Sequence, residues 1–295
     1  MILGAIDIGS NAVRLLLSEV KDNAFEEATF QKLNLIRVPI RLGFDVFETG
    51  YISAEKTQML VQTLKAFRHL INAYNVDHFR VCATSAMRDA KNKASIIQVV
   101  NKETGLAIDV ISGEAEANLV FESGIAEHMN HENDYMYIDV GGGSTEISVF
   151  SNGKLSFKKS FNIGTIRLLK NSIDNSEWEY MKLEIKSATK GLKKTIAIGS
   201  GGNINKIFSL SKKKDGKPLS AELIKDYYKE LSAVDVETRK KLYNLREDRA
   251  DVIVPALLIY INAMRWANAD EIYVPKIGLA DGLIRHLWDE VSIKM

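Results

Sequence analysis

Aspartate, one apolar residue and then glycine recur twice in this 295-residue chain, each time at the end of a short apolar run. The first segment is Ala5-Ile6-Asp7-Ile8-Gly9-Ser10-Asn11, and the second is Tyr137-Ile138-Asp139-Val140-Gly141-Gly142-Gly143-Ser144-Thr145-Glu146. Glycine brings main-chain amides close to an anion because no Cβ stands in the way, and an adjacent carboxylate can hold a divalent cation. The two loops therefore read as two halves addressing one phosphate, with Ser10, Asn11, Gly141, Gly142, Gly143, Ser144 and Thr145 as the contacts and Asp7 and Asp139 as metal ligands. Two ordinary tight turns are the plainer alternative.

Each loop runs back into a second apolar segment, Val13 to Leu17 and Glu146 to Phe150, so each is predicted to be a β-hairpin with the polar groups at its turn. Other phosphate motifs lose their support. No Gly-x-x-x-x-Gly-Lys-Ser/Thr run is present, and Gly199-Ser200-Gly201-Gly202-Asn203-Ile204 lacks the third glycine of a dinucleotide fingerprint.

These loops need a scaffold. Strands alternating with helices predict α/β layers, and recurrence of the hairpin about 130 residues on predicts two related domains. Ser53 is expected to open a helix whose apolar positions Met59, Leu60, Leu64, Phe67, Leu70 and Ile71 follow the 3.6-residue period, ending near Asn75. Phe79 to Ala83 reads as a buried strand entering a helix at Thr84-Ser85-Ala86-Met87-Arg88, where amides and a guanidinium could meet an anion. A helix from about Asn92 to Gly105 follows, then a strand from Ala107 to Ile111. Ser112-Gly113 starts a helix with Glu116 in its first turn. Beyond the second hairpin we expect helices around residues 177–194, a strand from Thr195 to Ile198, a glycine turn, and largely helical sequence to the end.

Composition agrees with a folded protein of that size: 46% hydrophobic and 26% charged residues, with no low-complexity linker. The single cysteine, Cys82, excludes an internal disulfide and a cysteine-rich zinc site, and reads as a buried thiol in a reducing cytosol. No basic segment precedes an apolar stretch at the N-terminus, so no secretory signal is expected. Val252 to Ala267, interrupted by Pro255, Asn262 and Arg265, is too short and too polar to span a membrane and reads as a core helix. His128 and His131 have no matching third ligand and read as solvated.

The net charge of +1 conceals an asymmetry. Residues 89–149 carry 3 lysines against 11 acids, and residues 151–217 carry 15 Lys plus Arg against 5 acids. A basic face beside an acidic pocket would steer a polyanion toward a metal. The candidates are Lys154, Lys158, Lys159, Lys190, Lys193, Lys194, Lys206 and Lys212 to Lys214. Solvated helix faces are the competing reading for each.

Taken together, the chain resembles the exopolyphosphatase/guanosine pentaphosphate phosphatase family of the actin, sugar-kinase and heat-shock ATPase superfamily. The resemblance runs nearly its full length. It rests on Ala5 to Leu16, Ala83-Thr84-Ser85-Ala86-Met87-Arg88-Asp89-Ala90 with Asn92, Val110-Ile111-Ser112-Gly113-Glu114-Ala115-Glu116-Ala117, Ile138 to Glu146, Gly199 to Ile204, and Arg249-Ala250-Asp251-Val252-Ile253. Sugar kinases and chaperones share the hairpins but lack the Ala-Thr-Ser-Ala-Met-Arg and Ile-Ser-Gly-x-x-Glu-Ala segments.

The resemblance implies two ribonuclease-H-like (actin-like ATPase) domains with an interdomain cleft, in the short two-domain form. Their expected extents are residues 1–123 plus about 282–295, and 124–281, the last helix packing back on the first domain. It further implies Glu116 as general base on the attacking water, Asp139 and Glu146 as acids near a divalent ion, Arg88 as a phosphate-binding arginine, and Gly201 and Gly202 as phosphate contacts. Arg14 and Arg249 are weaker phosphate candidates and better explained as structural ion pairs.

Mg²⁺ is the expected cofactor, held by Asp7, Asp139 and Glu146, with K⁺ as a further candidate ion. The implied reaction is release of terminal orthophosphate from inorganic polyphosphate, and also from guanosine pentaphosphate. A cytoplasmic setting, no membrane or nucleic-acid partner, and a homodimer as candidate assembly complete the expectation. Three positions depart from the family pattern: Asn118 in place of arginine, Asn203 in place of threonine, and Ala256 in place of glycine after Pro255. An ATPase or kinase of the same fold, and a non-catalytic binder of polyphosphate or an alarmone, are the rival functions.

Overall fold

The computed structural model describes residues 1–23, 26–122, 133–192 and 194–293. His128, His131, Lys193 and the boundary expected at residues 123 and 124 lie outside these. By its internal contacts the chain divides into two compact units, Met1–Ser123 with Leu279–Met295, and Gly124–Gly278.

In the first unit β1 (Ile2–Ile8) and β2 (Val13–Asn23) form the expected hairpin, with Ile8 opposite Val13 and Asp7 opposite Arg14. β3 (Glu26–Val38) continues the antiparallel meander. α1 (Leu42–Thr49) follows, entered through Arg41 in the left-handed region at φ 61°. No sequence signal announced it. α2 (Ala54–Ala73) starts where expected, because the Ser53 hydroxyl accepts the Lys56 amide and so satisfies one of the helix's open donors.

The buried stripe of α2 is Leu60, Val61, Leu64, Phe67 and Ile71, whereas Met59 is 41% exposed. Met59 lies off the centre of that stripe. β4 (His78–Ala83) runs parallel to β1 and leads into α3 (Ser85–Asp89). α4 (Lys93–Thr104) ends on Gly105 at φ 67°, where glycine avoids the left-handed penalty. The strand expected from Ala107 to Ile111 shrinks to β5 (Asp109–Val110), parallel to β4, before α5 (Gly113–Glu122).

The second unit repeats the pattern. β6 (Asp134–Val140), β7 (Thr145–Ser151) and β8 (Lys154–Phe161) form an antiparallel meander. Two helices follow, α6 (Thr165–Leu169) and α7 (Asn175–Ala188), the latter ending six residues short of the expected limit. β9 (Thr195–Ser200) then runs parallel to β6 and enters α8 (Gly202–Leu210) through Gly201 at φ 114°. Next come β10 (Leu219–Ser220), α9 (Ala221–Ser232), α10 (Val236–Tyr243), α11 (Glu247–Ala250), α12 (Ile253–Trp266), β11 (Glu271–Tyr273) and α13 (Leu279–Ser292).

Strand order is β3-β2-β1-β4-β5 in one sheet and β8-β7-β6-β9-β11-β10 in the other. Both therefore place a three-strand meander beside two parallel strands, the ribonuclease-H-like arrangement, and the chain is α/β throughout. α12 is the core helix expected from Val252 to Ala267. Its Ile253, Leu257, Tyr260 and Met264 are buried with Met136, Ile138 and Val149 of the sheet, and Pro255 sits in the first turn, where its missing N–H is harmless. α13 packs on β1 and α5, within the first unit. Among the described residues no helix is long and apolar enough to cross a membrane.

Candidate active site

Both hairpin turns close with the same bond. Gly9 N–H donates to Ala12 O at 3.1 Å, and Gly141 N–H donates to Ser144 O at 2.9 Å. Further bonds then fix which way the turn peptides face. In the first unit Gly43 N–H donates to Ser10 O at 2.8 Å and Arg41 N–H to Asn11 O at 3.0 Å. In the second, Thr165 N–H donates to Gly141 O at 3.1 Å, Ile166 N–H to Gly142 O at 2.8 Å, and Arg167 Nε–H to Gly143 O at 2.6 Å.

In a trans peptide the C=O and N–H point in opposite directions. Holding the carbonyls of Gly141, Gly142 and Gly143 toward α6 therefore turns the amides of Gly142, Gly143 and Ser144 the other way. The arrangement also satisfies the amides of Thr165 and Ile166, which a helix start leaves open. It demands a close backbone approach: a Cβ on Gly164 would lie 2.5 Å from Gly142 O and from the Gly143 main chain. Amides turned to one side of a glycine loop suit an anion.

The acids differ between the units. Asp7, 2% exposed, is bound by the Arg14 guanidinium at 2.6 Å, so the residue offered as a metal ligand already carries a cation, and Arg14 is the structural ion pair expected of it. Asp139 instead faces Glu146, its register partner across the β6–β7 ladder. Glu146 is buried, with Oε1 accepting from Ser160 Oγ at 2.7 Å. Like charges directly opposite on a ladder repel, which a cation between them would relieve.

Those oxygens are hard donors that fit Mg²⁺. Among the described residues no group of three His, Cys, Asp or Glu gathers as a ready metal cage. Such a Mg²⁺ would complete its shell with waters and phosphate oxygens, as it commonly does.

Glu116 stands in the first turn of α5, where the Ser112 hydroxyl accepts the Ala115 amide at 3.1 Å. Its side chain keeps 11% exposure, and its Oε2 lies 3.5 Å from Arg88 Nη1. Arg88 also donates to Ile111 O at 2.9 Å. The structure thus joins two residues 28 positions apart that the sequence nominated separately, and gives Arg88 a carboxylate partner other than Asp89.

Other nominated side chains serve the frame. Ser10 Oγ shares a hydrogen bond with Ser85 Oγ at 2.8 Å and accepts from Ala86 N–H at 3.2 Å; Thr145 Oγ1 donates to Ile163 O at 2.6 Å. The Thr145 hydroxyl proton is therefore committed to Ile163 O. The Arg249 guanidinium lies against Gly202, within 3.1 Å of where a Cβ would stand. Of the basic candidates, Lys159 pairs with Glu184 at 3.1 Å and Lys213 donates to Pro218 O at 2.7 Å, so these two are held locally.

Sequence reasoning missed Arg167, Ser160 and Tyr260. Tyr260 donates to the Ser200 carbonyl beside the Gly201 turn. Burial, then the charge of Asp139, pushes the phenols of Tyr137 and Tyr260 well above their ordinary value, so both remain neutral hydroxyls. Ser160 stands opposite Glu146 on the next strand, a place fixed by the β7–β8 register.

Fold and loop geometry define a protein of two ribonuclease-H-like units, each with an amide-presenting hairpin turn. The profile of the Ppx/GppA phosphatase family matches residues 20–290, and the chain belongs to that family. Among solved structures it is similar to a Ppx/GppA family member of Aquifex aeolicus, 26% identical with a TM-score of 0.77 over 100% of this chain and 98% of that one. A described exopolyphosphatase of Cytophaga hutchinsonii shares the fold, 24% identical with a TM-score of 0.85 over 98% of each chain.

Two curated relatives are longer. A bifunctional 3-dehydroquinate synthase/phosphatase of Fusobacterium nucleatum is 34% identical over 171 residues, 56% of this chain. A guanosine-5'-triphosphate,3'-diphosphate pyrophosphatase of Vibrio vulnificus is 24% identical over 97% of this chain. The chain spans 25% of the former and 59% of the latter.

Proposed function

We propose that this chain hydrolyses the terminal phosphoanhydride of inorganic polyphosphate, releasing orthophosphate, and accepts the 5′-triphosphate end of guanosine pentaphosphate as well. The observation that carries the reading is the triglycine turn, whose Gly142, Gly143 and Ser144 amides are turned away from α6 by the bonds to the preceding carbonyls, beside two opposed carboxylates. That pattern suits a multiply charged phosphoryl group and a divalent ion. Family membership supports it, and so do the activities for which the relatives are named.

In this reading the amides of Gly142, Gly143 and Ser144 bind the equatorial oxygens of the terminal phosphoryl group. The Glu116 carboxylate takes the proton of a water whose oxygen attacks that phosphorus, the P–O–P bond breaks, and the shortened chain leaves as a phosphate anion. Arg88, beside Glu116, orients the carboxylate and contributes positive charge. Asp139 and Glu146 would hold Mg²⁺, which would neutralise phosphate charge when bound. Asp7, paired with Arg14, keeps the first turn in shape.

The test is phosphate release from long-chain polyphosphate, guanosine pentaphosphate and ATP, with and without Mg²⁺ and K⁺. Mg²⁺-dependent release from polyphosphate is expected. Turnover of ATP alone would favour the kinase-like rival, and binding without turnover the regulator. Glu116→Gln should cut kcat by about 10²–10⁴-fold while binding changes little, since a general base acts in the chemical step. Unchanged kcat removes Glu116 from the mechanism.

A further inference from the structure

Aligned on the bond that closes each turn, Ser10 answers to Gly142 and Asn11 to Gly143. Within these two pairs the carbonyl of the first is held by a helix amide in both turns, and the parallel breaks at the second. Asn11 O is held by a main-chain donor, the Arg41 amide at 3.0 Å, whereas Gly143 O is held by a side chain, Arg167 Nε, at 2.6 Å. Any residue at position 41 except proline would supply the first bond. Only a side chain that reaches back from α6 supplies the second.

The consequence falls on one peptide. Gly143 lacks the Cβ that would restrict its ψ, so the Gly143–Ser144 plane can rotate unless its carbonyl is tied down. Fixing that carbonyl fixes the Ser144 amide on the opposite side. Ser144 N–H is one of the three donors assigned above to the phosphoryl oxygens, and donors that are fixed beforehand contribute most to stabilising developing charge.

We propose that Arg167 is a positioning residue: by holding the Gly143 carbonyl, it aims the Ser144 amide at the phosphoryl group being transferred. The inference rests on the phosphohydrolase reading and deepens it. Arg167 acts through the loop rather than on substrate, so its loss acts on the rate of the chemical step more than on substrate capture.

The test compares wild type, Arg167→Ala and Arg167→Lys with tripolyphosphate as the probe. Arg167→Ala should lower kcat at least tenfold with KM within threefold, and added ethylguanidinium should restore part of the rate. Arg167→Lys, able to donate one bond, should fall between. A kcat within twofold of wild type in Arg167→Ala overturns the proposal. So does a loss that neither lysine nor ethylguanidinium relieves, because that marks general damage to the fold.

A second readout separates this inference from the reading beneath it. If wild type releases no phosphate, the phosphohydrolase reading fails, and the proposal is decided by the ¹⁵N-labelled Ser144 amide under tripolyphosphate titration. A shift in wild type that is lost in Arg167→Ala supports it. The same response in both, or none in wild type, overturns it.

Discussion

What stands across the ladder from each aspartate separates the two turns. Asp7 meets an arginine at 2.6 Å and is neutralised within the protein, while Asp139 meets Glu146 and is not neutralised by that partner. Opposed like charges on neighbouring strands cost up to about 1 kcal/mol. Replacing Glu146 by glutamine should therefore raise the melting temperature measured without Mg²⁺ and remove most of the further rise that Mg²⁺ gives wild type. Differential scanning calorimetry with and without MgCl₂ reads both effects; equal Mg²⁺ shifts in the two proteins would exclude Glu146 as a ligand. Cys82 shows the opposite behaviour, a group kept out of chemistry by its surroundings. Burial, then the Asp109 carboxylate, pushes its thiol from 9.0 up to about 12. Because the folded state raises this value, the neutral thiol's contribution to stability is whole below pH 9 and fades as pH climbs toward 12. Ellman's reagent at pH 8 should leave the native protein unmodified and titrate one thiol in urea.

Among elements, the helix that follows each meander is the part that sets which way the turn peptides of the hairpin face. α6 is five residues long and has no apolar period of its own; it is held by the carbonyls of the triglycine turn, which it holds in return. Gly164→Ala would drive a Cβ into main-chain atoms at 2.5 Å, where no side chain can yield. Overpacking of this kind costs about 1–3 kcal/mol, and the displaced turn should lose at least tenfold in kcat, read from urea unfolding and phosphate release on the same sample. A fully active, equally stable variant would show that the close approach is dispensable. The same elements mark how far the sequence could be read. Both hairpins, the helix capped by Ser53 and the helix ended by Gly105 were legible because period, cap and glycine agree locally. α1, α6, β10 and β11 were not, since two to eight residues are too few to establish a period, and the Gly50 that ends α1 is no helix signal without one. Their geometry comes from partners distant in the chain.

For the molecule as a whole, one five-strand order is built twice, with β10 added at the edge of the second sheet, and the first unit is completed by the helix α13. α13 crosses α5 so closely that a Cβ on Gly282 would stand 1.7 Å from Leu119 O, and Leu283 is fully buried there. Leu283→Ala should destabilise by about 2–5 kcal/mol in urea unfolding, with limited proteolysis cutting first within residues 1–122. A variant as stable as wild type would mean that α13 adds little to the first unit. The basic stretch from 151 to 217 is a property of sequence, but locally paired Lys159 and Lys213 show that charge count alone does not assign a surface to a polyanion. By itself the sequence determined the α/β alternation and the two aspartate hairpins, and it nominated residues for phosphate chemistry. Those depend on neighbours within a few positions. Only tertiary structure decided that Arg88 reaches Glu116 and that Arg167 holds Gly143, because hydrogen bonds and ion pairs between distant residues follow from the path of the folded chain and from no local pattern.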